Sequence, residues 1–219
     1  MRSNPGPGGT LYVELDGMGV TWQLRPSAQG VRIVQHGGTW TGQHSGFIMV
    51  PERGFALTVL TNSQGAPELI SDLFVDDWAL KRFAGVSNLP AKPRVLSRSQ
   101  LAPYEGLYTG RTIDPPFTEP GDTVTQTTRI ELKDTTDGQL RMTLRIVADT
   151  EVLDAPPDIV GAEAAPPTVE FRLAFYRDDY VLVYDQSGEP FVRANFLRGH
   201  DGNVQWLRFG GRLHRHQGV

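Results

Sequence analysis

The chain has 219 residues with no cysteine, 24 glycines and 16 prolines, and its 39% of hydrophobic residues suffices for a core. That excludes wholesale disorder, a collagen-like repeat, disulfides and thiolate-held metal centres. A formal charge of −4, from 21 basic and 25 acidic residues, gives the surface as a whole no reason to bind nucleic acid or an anionic membrane, so any such site would have to be local.

In chain order, residues 1–9 read as a loop without the apolar centre of a secretory signal. Strands are expected at 10–15, 18–25 and 31–35. A hairpin follows, Ser45–Val50 and Phe55–Leu60, joined by Pro51-Glu52-Arg53-Gly54, where proline presets a turn dihedral and glycine can take positive φ. Residues 66–84 change to a helical period, with Leu69, Ile70, Leu73, Phe74 and Trp78 on one stripe, Pro67 in the first turn and Gly85 at the end. This helix should lie across the preceding sheet.

The proline-rich run 89–94 marks a boundary between a first domain at 1–88 and a second at 98–219. Beyond it the period is two. Leu140, Met142, Leu144 and Ile146 alternate with polar residues, as do Val169, Phe171, Leu173 and Phe175, and turn chemistry stands at 136–138, 177–179, 187–189 and 200–203. About eight strands in roughly 120 residues predict an antiparallel β-barrel, closed so that no long edge is exposed, with 153–167 as a surface insertion. The fold class is therefore mainly β (α+β): a partial antiparallel sheet with one helix, then an eight-stranded barrel. No run approaches the ~18 apolar residues of a membrane-spanning helix, so no membrane span is expected.

The segment His36-Gly37-Gly38-Thr39-Trp40 leads into the hairpin and carries the candidate chemistry. Paired glycines let a backbone or ligand approach closely, and N–H groups exposed there suit an oxyanion; the plainer reading is a glycine bulge at a strand end. His44 and Ser45 are adjacent, so on a strand they point to opposite faces and form no dyad. His214-x-His216 puts two imidazoles on one strand face, with a solvated tail favoured over a metal site. Asp178-Asp179 reads as a hairpin turn. Phe191, Phe196, Trp206 and Phe209 interleave with arginines, a pattern a nucleic-acid platform shares with an ordinary barrel, and the barrel is preferred. No cofactor, metal or nucleic-acid partner is expected.

His36-Gly37-Gly38, Trp40, Gly42, Gly46-Phe47, Pro51–Gly54 and Leu57–Asn62 together resemble the last third of a class C β-lactamase-like serine hydrolase, a family that includes DD-peptidases and esterases. The run from Leu101 to Tyr108 resembles the lipocalin-like barrel often appended to it. The resemblance implies that His36, Gly37, Gly38 and Thr39 form the oxyanion and substrate wall of a site acting on an ester, amide or β-lactam. Family catalysis also needs Ser-x-x-Lys and Tyr-x-Asn. None of the serines here has a lysine three places on, and none of the six tyrosines has an asparagine two places on. The resemblance thus implies the C-terminal part of such an enzyme, inactive alone, which an upstream half would complete or which self-associates through its uncovered first lobe. The alternative is a non-catalytic ligand- or partner-binding module.

Overall fold

The structure, a computed structural model, describes residues 16–40, 42–63, 65–75, 77–114, 124–148 and 168–218. The strand expected at 10–15 and the insertion at 153–167 lie outside them. The chain divides into two compact units, Met1–Lys92 with Pro190–Ala194, and Pro93–Glu189 with Asn195–Val219.

The first unit holds an antiparallel sheet in sequence order: β1 (Gly17–Met18), β2 (Gln23–Pro26), β3 (Arg32–Trp40), β4 (Gln43–Val50) and β5 (Phe55–Thr61). The single strand expected at 18–25 is two strands, because the chain reverses between them. Thr21 takes φ +64° and the Gly19 amide donates to the Trp22 carbonyl at 2.8 Å. The β4–β5 connection forms as the sequence requires, a 3-10 turn at Pro51–Arg53 closed by Gly54 at φ +61°.

Helix α1 (Ala66–Val75) packs on the sheet, and Ile70, Leu73 and Phe74 join Ile33, Ile48 and Val50 in one buried cluster. The expected 66–84 helix is not one piece. A π-helical segment, Leu80–Ala84, follows α1 and ends on Gly85 at φ +64°. Two residues of the expected stripe are exposed, Leu69 at 56% and Trp78 at 58%. Arg25 is buried against the end of α1, donating from Nη1 to the Phe74 carbonyl (2.8 Å) and from Nη2 to Asn88 Oδ1 (2.9 Å); burial pushes its guanidinium down to about 9.

In the second unit, α2 (Arg98–Leu101) opens on a capping box between Ser97 and Gln100. Then come β6 (Gly106–Asp114), β7 (Val124–Asp134), β8 (Leu140–Ala148), β9 (Thr168–Arg177), β10 (Tyr180–Tyr184), β11 (Pro190–Arg198, of which Pro190–Ala194 groups with the first unit), β12 (Val204–Phe209) and β13 (Arg212–Gln217). All pairings are antiparallel, and β13 pairs with β6 to close an eight-stranded barrel, as alternation and turn chemistry predict. Its turns use Gly138, Asp179, Gly188 and Gly202 at positive φ.

Inward positions such as Tyr108, Ile130, Leu140, Met142, Phe175 and Leu207 are buried, so side chains fill this interior. At one end the Tyr104 ring packs 4.7 Å from both Phe175 and Phe196, while its hydroxyl donates to Asp179 (2.8 Å) and accepts from Arg198 (2.9 Å). Burial raises the Tyr104 phenol above its usual range. His214 and His216 are not a solvated tail, because β13 is the strand that closes the barrel. His214 is 3% exposed, and His216 stacks on Tyr108 with its ring nitrogens beside the Val204 and Glu105 carbonyls (3.1 and 3.0 Å).

Candidate functional site

Strand alternation gives the first sheet two unlike faces. On one, Ile33, Ile48 and Val50 meet α1. Here the glycines have a packing role. Gly37 and Gly46 are cross-strand partners, and a Cβ at Gly46 would lie 3.2 Å from side-chain carbons of Ile70, Leu73 and Phe74. A side chain there would require these residues of the helix to shift by a few tenths of an ångström.

The other face is left open by α1. Register aligns Leu24, Val34, Met49 and Ala56 in one row, then His36, Phe47 and Thr58 in the next, then Gly38, Ser45 and Leu60. Trp22 caps the middle row, its ring 5.3 Å from Phe47 and edge-on to His36 at 6.4 Å. His36 is exposed and Leu60 is 76% exposed. The rows are thus mostly apolar, with one imidazole and two hydroxyls, those of Thr58 and Ser45.

β5 ends the sheet, and among the described residues only β4 pairs with it. Its sequence, Phe-Ala-Leu-Thr-Val-Leu-Thr, contains no charge and no proline, the devices that usually blunt an edge. Apolar groups flank the edge on both sides. Leu60 projects from the open face, while on the helix face Phe83, 63% exposed, stacks on Phe55 (6.4 Å) and meets Trp78.

The four residues singled out in the sequence all lie in β3, but the strand does not bring them together as one wall. His36 and Gly38 are on the open face, Gly37 is on the buried face, and Thr39 is in register with His44. The strand runs through the glycines in unbroken register from Val34 to Trp40, so they form no bulge. His44 is buried on the helix side and Ser45 faces the open side, as strand geometry requires. The Ser45 hydroxyl lies over Gly38, 3.0 Å from where a Cβ would project. Among the described residues no group of three His, Cys, Asp or Glu side chains is placed to hold a metal. The sequence reading expected an uncovered first lobe but did not identify Leu60, Trp78 and Phe83 as exposed residues; for Leu60 the uncharged run of β5 was the available signal.

No family model matches the chain, and no curated protein matches it. Solved structures similar to it include a crystal structure of SurE with D-Leu, at 19% identity and TM-score 0.49, covering 94% of this chain and 40% of that one. Another of SurE has 20% identity and TM-score 0.48 over 94% and 38%. The octameric penicillin-binding protein homologue from Pyrococcus abyssi has 20% identity and TM-score 0.29 over 96% and 41%. The chain spans about 40% of the length of these structures.

These findings correct the resemblance drawn from the sequence. With no matching family or curated protein, and structural likenesses below a TM-score of 0.5, membership in a class C β-lactamase-like family with a lipocalin-like barrel is withdrawn. One glycine of the pattern has a local cause, since Gly46, the cross-strand partner of Gly37, sits where α1 crosses β4. No helix of the described residues is long and apolar enough to cross a membrane.

Proposed function

We propose that this chain is a non-catalytic module that binds a partner polypeptide, which adds a strand to the free edge of β5 and lays apolar side chains over the open face of the sheet. The observation that carries the reading is the seven-residue, uncharged edge of β5, unpaired among the described residues, with exposed Leu60 on one side and exposed Phe83 on the other. A bare row of backbone donors and acceptors selects an extended chain, and pockets for alternate side chains select its sequence. A small ligand inside the barrel is the weaker alternative, because inward side chains fill the described interior.

The reading is tested on the whole chain by hydrophobic-dye fluorescence and sedimentation velocity over a concentration series. We expect dye binding and reversible self-association, both reduced in Leu60→Lys and Phe83→Lys. A wild-type chain that stays monomeric and binds no dye would refute it.

A further inference from the structure

A second surface, on the barrel and independent of the sheet, carries a charge pattern that the net charge of −4 conceals. The outward positions of β7, β8 and β9 fall into rows. Arg129 stands directly opposite Arg145. Four residues along the strands, Lys133 stands opposite Arg141, which stands opposite Arg172. Between these rows lies a third, Glu131, Thr143 and Glu170. All of these side chains are exposed except Thr143, which is half-buried. Like charges directly opposite one another on a sheet repel, so each cationic row holds an unfavourable contact that an anion placed over it would relieve.

Two depressions mark the same rows. One, of about 260 Å³, is lined by Leu107, Arg129, Glu131, Thr143 and Arg145. The other, of about 500 Å³, has Arg141 and Arg172 in its lining beside the carboxylates of Asp137, Glu170 and Asp185, which offset part of the charge of that row and leave the Arg129–Arg145 row as the more cationic of the two. Lys133 reaches Glu131 at 2.8 Å, which neutralises part of the middle row and leaves the guanidinium groups, the planar donors suited to carboxylates, as the principal cations.

We propose that the outer face of β7–β9 docks an acidic segment of a partner polypeptide, in extended form, with two acidic residues four positions apart and a basic residue midway between them. The spacing supports this occupant. Rows two residues apart along a strand are separated by about 6.8 Å, and an extended chain lying along the strands repeats side chains on one face at that same interval. Its two carboxylates then meet the arginine rows while its central cation meets Glu131 and Glu170. A phosphate polymer matches the pattern less well, since its unbroken charge would also stand over the glutamate row.

The test uses the full chain and three fluorescein-labelled probes: a peptide with Glu, Lys and Glu at alternate positions, a peptide of the same composition with the lysine moved to one end, and an oligothymidylate. Anisotropy at low salt should give the patterned peptide an affinity about tenfold above that of the permuted one, weakening as salt rises. Arg145→Glu and Arg141→Glu should each reduce that affinity at least about tenfold while keeping or raising Tm, because each places opposite charges across the strands. Arg145→Gln and Arg141→Gln provide the same test should a reversal disturb folding. The proposal is overturned by equal binding of the two peptides, by tighter binding of the oligonucleotide, by unchanged affinity in the folded variants, or by no peptide binding up to about 1 mM.

Discussion

The Trp22 ring lies 5.3 Å from that of Phe47, and both stand on the sheet face that α1 does not cover. In a sheet stabilised only by its own fold, such a pair would sit beneath a second layer. Here it reports directly on whether that face is occupied. Removing surface apolar groups from the same face and edge should change association while leaving stability nearly constant. Leu60→Lys is expected to shift the unfolding free energy by no more than about 0.5 kcal/mol while reducing dye binding. Urea melts run beside the dye titration check both, and a large loss of stability would show that Leu60 is packed.

Gly46 is closely packed on three sides. A methyl or larger group there meets Ile70, Leu73 and Phe74 at once, so Gly46→Val should destabilise by about 1–3 kcal/mol through overpacking. Thermal unfolding measures this, and Gly38→Ala serves as the comparison, since a Cβ there meets only the end of a serine side chain. Equal effects at the two glycines would contradict the account of why α1 lies so close.

Gln35 is fully buried, and neither polar atom of its amide has a hydrogen-bond partner. An unsatisfied buried amide costs about 1–3 kcal/mol, so Gln35→Met, near in volume, should stabilise by about 1 kcal/mol. Chemical denaturation decides this. A loss of stability instead would show that internal water satisfies the amide.

His214 sets a pH dependence in the barrel. Its ring lies over Gly110, with Nδ1 buried, and burial lowers its pKa below the usual histidine value. The unfolded chain therefore binds this proton at a higher pH than the folded one does. Stability is greatest above about 6.5, and falls as pH drops below it by at most about 1.4 kcal/mol per pH unit. The decline ends once the folded form also takes up the proton. His214→Leu should flatten this slope in urea melts between about pH 7.5 and 5. An unchanged slope would assign the effect to other groups.

The barrel was legible because its signals are local. Strict alternation in Leu140–Ile146 and Val169–Phe175 and glycine or aspartate in the turns at 136–138, 177–179, 187–189 and 200–203 fix strands, faces and reversals together. The helix was legible in type but not extent, since nothing in the pattern at 66–84 announces the π-helical segment at Leu80–Ala84 or the exposure of Trp78. The strand at 18–25 failed for a related reason. Thr21 adopts a left-handed conformation that threonine rarely takes, so the reversal has no residue signature. In the candidate site, His36-Gly37-Gly38 drew attention as chemistry, whereas the close approach of α1 to Gly46, across the sheet from Gly37, is a tertiary relationship that a linear motif cannot express. The arginine rows escaped notice because registry between β7, β8 and β9 brings together residues far apart in sequence.

The central claim, that β5 accepts a partner strand, is tested most directly by amide hydrogen exchange of the whole chain, with and without a lysine-flanked peptide carrying the sequence of Phe55–Thr61. Every second amide of β5 should exchange rapidly in the free chain and become protected on adding the peptide, with no comparable change in β7 or β8. Outward amides of β5 already protected in the free chain, or unaltered exchange at saturating peptide, would contradict it.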